Sequence, residues 1–227
     1  MSIFQSTELA CPVCGNTAAF DLVVSVSADR RPDLRQEILD GKFQSKSCPS
    51  CDSRFRVDPE FTFIDLARGQ YIGVWPVSKR REWRACADLT LQGFDAAFGR
   101  NAGPEAQAIG GTIEPRAVFG WPALVEKILA RSAGIDDRTL ELAKVAALQR
   151  LEDAPLPGAN ELRLVNASPT ELVVAWVHTE DERLGSALRI PRSLIAEIEK
   201  APDSWRALRD DVSEGLVVDF QREMLAA

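Results

Sequence analysis

Two four-residue hooks, Cys11-Pro12-Val13-Cys14 and Cys48-Pro49-Ser50-Cys51, constrain this chain more than anything else in it. They use four of its five cysteines. Two C-x-x-C hooks on one chain form the ligand set of a tetrahedral zinc site, with thiolates about 2.3 Å from the metal. In such a turn the backbone reverses over the ion, so that both sulfurs meet it from one side. Proline at the second position fixes φ near about −65° and gives up an N–H that the turn does not need. The residue after each hook has to tolerate a left-handed backbone. Gly15 does so freely, and Asp52 is of one of the few other types that manage it. Each hook then leads into a strand pattern, Cys14-Gly15-Asn16 toward Phe20 and Cys51-Asp52-Ser53 toward Phe55, which is the zinc-ribbon arrangement. Cys11, Cys14, Cys48 and Cys51 are therefore the candidate metal ligands. A four-thiolate shell has no open position, so a zinc ion there is structural rather than catalytic.

Other uses of the cysteines fit less well. A thioredoxin-type redox pair is a lone dithiol at a helix start within a βαβ pattern. Here strands follow the hooks, and 33 residues separate Cys14 from Cys48. Disulfides belong to oxidising compartments, and the start of the chain lacks the basic and apolar regions of a signal peptide. Iron in place of zinc is chemically possible at four sulfurs. Cys86, left over, suits a buried small apolar position. Lys42, Lys46, Arg54 and Arg56 flank the second hook and either offset the charge of a metal–thiolate centre or are solvated.

Hydrophobic content of 45% with 27% charged residues is ordinary for a soluble globular protein. No apolar run approaches about 18 residues, so no membrane helix and no membrane partner are expected. Free thiols, a metal set and no signal point to the cytoplasm. The net charge is −7. Residues 1–84 hold 12 basic and 11 acidic side chains, and the remainder 15 and 23. Neither part has the basic footprint of a nucleic-acid binder, which leaves a protein partner as the expectation.

Along the chain, Phe20, Leu22, Val24 and Val26 alternate as in a half-buried strand. Pro32–Asp40 reads as a short helix that Gly41 closes. Phe55 and Val57 begin a strand broken at Pro59, and Phe61–Leu66 with Tyr71–Val77 forms a hairpin. The basic run Lys79–Arg84 reads as the solvated start of a helix continuing to Phe98. Residues 99–115, rich in Gly, Ala and Pro, read as a flexible linker. Trp121–Ser132 and Asp137–Asp153 follow as an αα-hairpin, the second helix capped by Asp136. An Asp136–Asp137 catalytic dyad is the less economical reading of that cap. Strands Glu161–Asn166, Glu171–Thr179 and Ala187–Ile190, a helix from Pro191 to Lys200, and a last strand within Gly215–Arg222 complete the pattern.

The fold class expected is α+β. It comprises a zinc-ribbon-like part over 1–98 with an inserted short helix, the linker over 99–115, the helical hairpin over 116–154, and a strand-rich α+β part over 155–227.

The paired Cys-Pro-x-Cys hooks, the inserted helix ending in Asp40-Gly41-Lys42-Phe43 and the Phe61-Thr62-Phe63-Ile64-Asp65 hairpin together resemble the bacterial and archaeal CpXC family. So do Arg116-Ala117-Val118-Phe119-Gly120, Leu124-Val125-Glu126-Lys127-Ile128 and the helix start Gly134–Lys144. The likeness covers about residues 8–150. It implies metal binding through the four hook cysteines and supplies no activity, because the family is functionally uncharacterised. Asp52 stands where a glycine is common, and Phe63-Ile64-Asp65 where a tyrosine-containing hairpin is usual.

Three functions remain in play. The first is a zinc-stabilised structural or protein-interaction role. It rests on the closed metal set and on the lack of a Gly-rich phosphate loop, a G-x-S-x-G or an H-E-x-x-H, with His178 the lone histidine, on a largely apolar strand. The second is a nucleic-acid-binding or transcription-associated ribbon reading through Lys42–Arg56 and Lys79–Arg84. The third is an enzyme with coupled carboxylates in a cleft.

Overall fold

The computed structural model describes residues 2–151, 160–179 and 181–223. The chain opens with strand β1 (Ile3–Ala10), which turns through the first hook into β2 (Thr17–Ser27). Helix α1 (Pro32–Leu39) follows, with proline in its first turn, Leu34 and Ile38 buried four residues apart, and Gly41 left-handed beyond its end. Strands β3 (Ser45–Ser47) and β4 (Arg54–Arg56) form a second hairpin whose tip is the second hook. Strands β5 (Phe61–Asp65) and β6 (Gln70–Trp75) pair around Gly69. A 3-10 turn leads into α2 (Trp83–Phe98), then α3 (Pro104–Gly110) and β7 (Glu114–Phe119).

These strands make one five-stranded sheet in the order β1-β2-β5-β6-β7. The β2–β5 and β6–β7 pairs are parallel, and parallel neighbours need a crossover connection. The first crossover carries α1 and the β3–β4 hairpin, which brings the second hook back to the first. The second carries α2 and α3.

Helices α4 (Trp121–Ser132) and α5 (Asp137–Leu148) come next. Asp136 accepts from the Thr139 amide at 2.9 Å, so it caps α5 as expected. Strands β8 (Asn160–Ala167), β9 (Glu171–His178) and β10 (Leu184–Pro191) form an antiparallel sheet in the order β10-β9-β8. Helix α6 (Arg192–Lys200), helix α7 (Arg206–Asp211) and a small hairpin, β11 (Ser213–Glu214) with β12 (Val217–Val218), follow. No helix is long and apolar enough to cross a membrane among the described residues.

Two cores lie on either side of α4. Val26, Ile38, Phe43, Phe63, Ile72, Leu124 and Ile128 belong to one, under the five-stranded sheet. Leu140, Leu142, Leu162, Leu172, Val174 and Ile198 belong to the other, joined by Ala130 from the same helix. Helix α4 is thus a shared wall, and the helical middle has no core of its own.

The mixed α+β class holds, and several local expectations change. The stretch 99–115 carries α3 and the start of β7 where a flexible linker was expected. Two of its glycines serve close approach: a Cβ on Gly110 would stand 2.8 Å from the Phe98 side chain, and one on Gly99 would collide with the Asp95 carbonyl oxygen. Residues 116–119, expected to open the helical hairpin, finish β7. The basic run is only partly solvated, because Arg80 is buried and pairs with Glu161 at 2.8 Å. β1 was not anticipated, since Gln5, Ser6, Thr7 and Glu8 interrupt any apolar alternation and most of the strand is exposed. The strand sought in Gly215–Arg222 shrinks to Val217–Val218, held to β7 by the Ala117 amide donating to the Leu216 carbonyl at 3.0 Å. Helix α5 ends at Leu148, short of the expected Asp153, and residues 152–153 and the boundary near 155 lie outside the described residues.

Candidate metal centre

Both hooks sit at hairpin tips and are built alike. The Cys11 amide donates to the Asn16 carbonyl and the Gly15 amide to the Cys11 carbonyl, each at 2.9 Å. Cys48 with Ser53, and Asp52 with Cys48, repeat both bonds at 2.9 Å. Gly15 and Asp52 have φ of 75° and 57°, the left-handed backbone expected after each hook. Inside the turns the Val13 and Ser50 amides each approach the first sulfur of their hook at 3.4 Å. These donors favour a thiolate.

The hairpins are placed so that the sulfurs converge. Cys11 Sγ lies 3.8 Å from Cys51 Sγ, and Cys14 Sγ lies 3.7 Å from Cys48 Sγ. All four sulfurs fall within 4.8 Å of one another. Four ligands about 2.3 Å from a common tetrahedral centre would be separated by about 3.8 Å. The donor set and its spacing therefore fit a single metal ion. The separations are nearly twice the about 2.05 Å of a disulfide. Cys11 and Cys48 are buried and Cys14 and Cys51 exposed, so the centre lies at the surface with one ligand of each hook inward.

Ser53, not singled out from the sequence, adds a hydroxyl 3.0 Å from Cys51 Sγ and 3.4 Å from Cys11 Sγ. This hydroxyl, with backbone amides, holds the Cys11 thiol down to about 6. Cys51 is lowered chiefly by the same hydroxyl. At Cys14 the Asn16 amide pulls downward, but burial and the three other sulfurs outweigh it and push the thiol up to about 12. Without a metal the four sulfurs resist carrying four negative charges together, and a divalent cation removes that conflict.

Behind the sulfurs, Phe20 and Phe55 meet edge to face at 5.7 Å. The two phenylalanines of the twin patterns thus clamp the hairpins together. Lys46 donates to the Asp21 carbonyl at 2.6 Å. Lys42 pairs with Asp40, and Arg56 with Glu182 and the Phe43 carbonyl. Three of the four basic residues considered as counter-charge for the centre are thus engaged elsewhere.

A family model for the CpXC protein matches residues 9–144, more than half of the chain. The chain belongs to the CpXC family. No curated protein and no solved structure matches it. The CpXC match takes in both hooks and runs through Lys144 in α5, leaving β8 onward outside it.

A second constellation lies where that match ends. Lys144, wholly buried, sits 3.0 Å from Glu126 and 2.7 Å from Glu141, both also wholly buried. Arg163 pairs with Glu126 at 3.1 Å and with Glu161 and Asp219 at 2.6 Å each. Asp137, the other half of the supposed dyad, is held by Arg116 at 2.8 Å and Lys127 at 3.0 Å. Burial raises Glu141, while neighbouring cations outweigh burial and lower Glu126, Asp137 and Asp219, a divergence of the kind an acid–base site would require. They stand in the core, however, and the cavity beside Arg80, Lys127, Arg163 and Asp219 has only about 20 Å³, room for one water. Sequence could not flag them, because a buried charge reads like any other helix or strand residue until its partners are in place.

The cluster has a pH signature. Burial pushes the Glu141 carboxyl up to about 7, with Lys144 opposing and Glu126 reinforcing the shift. A folded-state value above the unfolded one gives stability that is present at low pH and lost as pH rises through 7. Asp137 and Asp219 are shifted the other way and act only below the ordinary carboxylate range, outside this window. In urea titrations, wild type is expected to lose on the order of 2–3 kcal/mol between pH 5 and pH 8 relative to Glu141→Gln. Parallel stability–pH curves would show that Glu141 is charged throughout.

Proposed function

We propose that Cys11, Cys14, Cys48 and Cys51 hold one structural Zn²⁺ in a zinc-ribbon-like arrangement, in a cytoplasmic protein that works through contacts with a protein partner. The convergence of four sulfurs from two like-built hairpin tips, at the separations a tetrahedral ion requires, carries the metal reading. The metal would cross-link the β1–β2 and β3–β4 hairpins. A closed shell of thiolates supplies no exchangeable position for a substrate.

The basic run supports a protein partner over a nucleic acid. Lys79 pairs with Glu60, Arg80 with Glu161, and Arg84 with Glu214. Charges matched within the molecule release few counterions on a phosphate backbone.

Elemental mass spectrometry of protein purified without added metal tests the centre. One zinc per chain is expected. No metal, together with four titratable thiols or a disulfide between the hooks, would overturn it in favour of redox chemistry.

A further inference from the structure

The two large sheets end in four edge strands, β1, β7, β8 and β10, and the molecule covers or blunts three of them itself. Along β8 side chains cap the outward main-chain groups. The Leu162 amide donates to Gln221 Oε1 and the Leu164 amide to Glu126 Oε2, each at 2.6 Å, and the Leu162 carbonyl accepts from Lys144 Nζ at 3.1 Å. On β7 the Ala117 amide is taken by the Leu216 carbonyl. Strand β10 has the features that discourage pairing: a bulge between Leu184 and Ala187, the charge of Arg189, and Pro191 at its end. Even the side of β2 that projects past β5 is covered. Gln44 bonds both main-chain groups of Val23, and Lys46 takes the Asp21 carbonyl.

Strand β1 is the exception. The Cys11 amide bonds to the Asn16 carbonyl, which sets the phase of the β1–β2 ladder. Gln5, Thr7 and Leu9 turn their main-chain groups to β2, while Phe4, Ser6 and Glu8 turn theirs outward. None of these outward groups has a main-chain partner among the described residues. Glu8 is the only charged side chain of the strand, which has no Lys, Arg or Pro. Ile3 and Phe4 are each more than half exposed. A bare edge of this length is a template for another extended strand.

The strand is complementary to itself. With a two-fold axis at Ser6, Phe4 of one copy meets Glu8 of the other and Ser6 meets Ser6, so every outward position is matched at once. The same register lays Ile3 opposite Leu9 and Gln5 opposite Thr7, and no Glu8 faces a Glu8. A shift of two residues toward the hook would set Ile3 against Cys11, whose carbonyl the Gly15 amide already occupies. We propose that β1 is a self-association edge, on which a second copy of this chain pairs antiparallel, β1 to β1, about that axis. The contact uses the bare edge of both copies, and with the other edges covered or blunted the assembly closes at two.

Sedimentation velocity on the full, zinc-loaded chain tests the proposal. A monomer–dimer equilibrium is expected, moving toward dimer as concentration rises. In amide exchange followed residue by residue by NMR, Phe4, Ser6 and Glu8 should gain protection with concentration, while Gln5, Thr7 and Leu9 are protected throughout. Ser6→Pro removes an outward N–H that the pairing with β2 does not use, so the ribbon should persist while the dimer weakens at least about tenfold. Ser6→Lys sets two like charges opposite each other at the axis. It should weaken the dimer roughly fivefold at low salt, with recovery at about 0.5 M salt. The lysine variant decides the matter if Ser6→Pro fails to fold. The proposal is overturned if the chain stays monomeric at every concentration, if the folded variants dimerise like wild type, or if protection of Phe4, Ser6 and Glu8 does not depend on concentration.

Discussion

Chelation at neutral pH is expected to release the β1–β2 ribbon and the β3–β4 hairpin while β5, β6, β7 and the C-terminal sheet stay folded. Only Ser25–Ser27 of the eleven-residue β2 pairs with β5, so most of the ribbon projects past the sheet. Strands β3 and β4 have three residues each. Two-stranded hairpins of this kind are marginal alone in water. What else joins the two hairpins is the Phe20–Phe55 contact, the Lys46–Asp21 bond and the Gln44 side-chain amide, which accepts from the Val23 amide at 3.4 Å and donates to the Val23 carbonyl at 3.1 Å. Against this, structural zinc contributes an apparent binding free energy of about 10–16 kcal/mol, more than the net stability of most domains. Hydrogen exchange should show loss of protection over residues 4–24 and 44–56 after chelation, with Phe61–Trp75 unchanged. Cys48→Ser, which removes a buried ligand, should reproduce the pattern. If the chelated protein keeps its ribbon protection and melting temperature, the centre is not what holds these hairpins.

The second large effect is expected at Lys144. Lys144→Met leaves Glu126 and Glu141 facing each other in a fully buried site, with Arg163 the remaining cation on Glu126. Breaking one partner out of a buried ionic group costs about 3–5 kcal/mol, here because Glu141 is left without its paired cation and Glu126 with Arg163 alone. Adding Glu141→Gln should recover a large part of that loss, since it removes the carboxylate that depends on Lys144 most. Denaturation midpoints of the single and double variants provide the measurement. A neutral single variant would mean that water or Arg163 compensates the site.

The convergence of the four cysteines was legible from their spacing, because paired C-x-x-C hooks on one chain admit few other arrangements. The left-handed positions after the hooks followed from the same reasoning, and so did α1, the β5–β6 hairpin and the Asp136 cap, which are set by local residues. What escaped was non-local. β1 carries little apolar signal, as its stability comes from pairing with β2 and from the hook at its end. β7 hid behind a glycine-rich stretch in which Gly110 packs closely against Phe98. The buried ionic cluster draws on α4, α5, β8 and the C-terminal segment at once, so no window of sequence contains it. Ser53 was visible as part of a twin pattern, but its place between two sulfurs depends on how the hairpins meet.

The wall that α4 forms between two cores bears on how this protein can be cut or recombined. The stretch that defines the family ends at residue 144, inside α5, whose Leu140, Leu142 and Ala143 are covered from beyond that point. The matched stretch and the core it helps to build therefore have different edges. A chain that kept the hooks but exchanged everything after α5 would need another apolar sheet on the same face, together with a cation for Glu126 in place of Arg163. In this chain a cut at residue 144 would therefore uncover the inner faces of α4 and α5, and a graft at that point would have to match them.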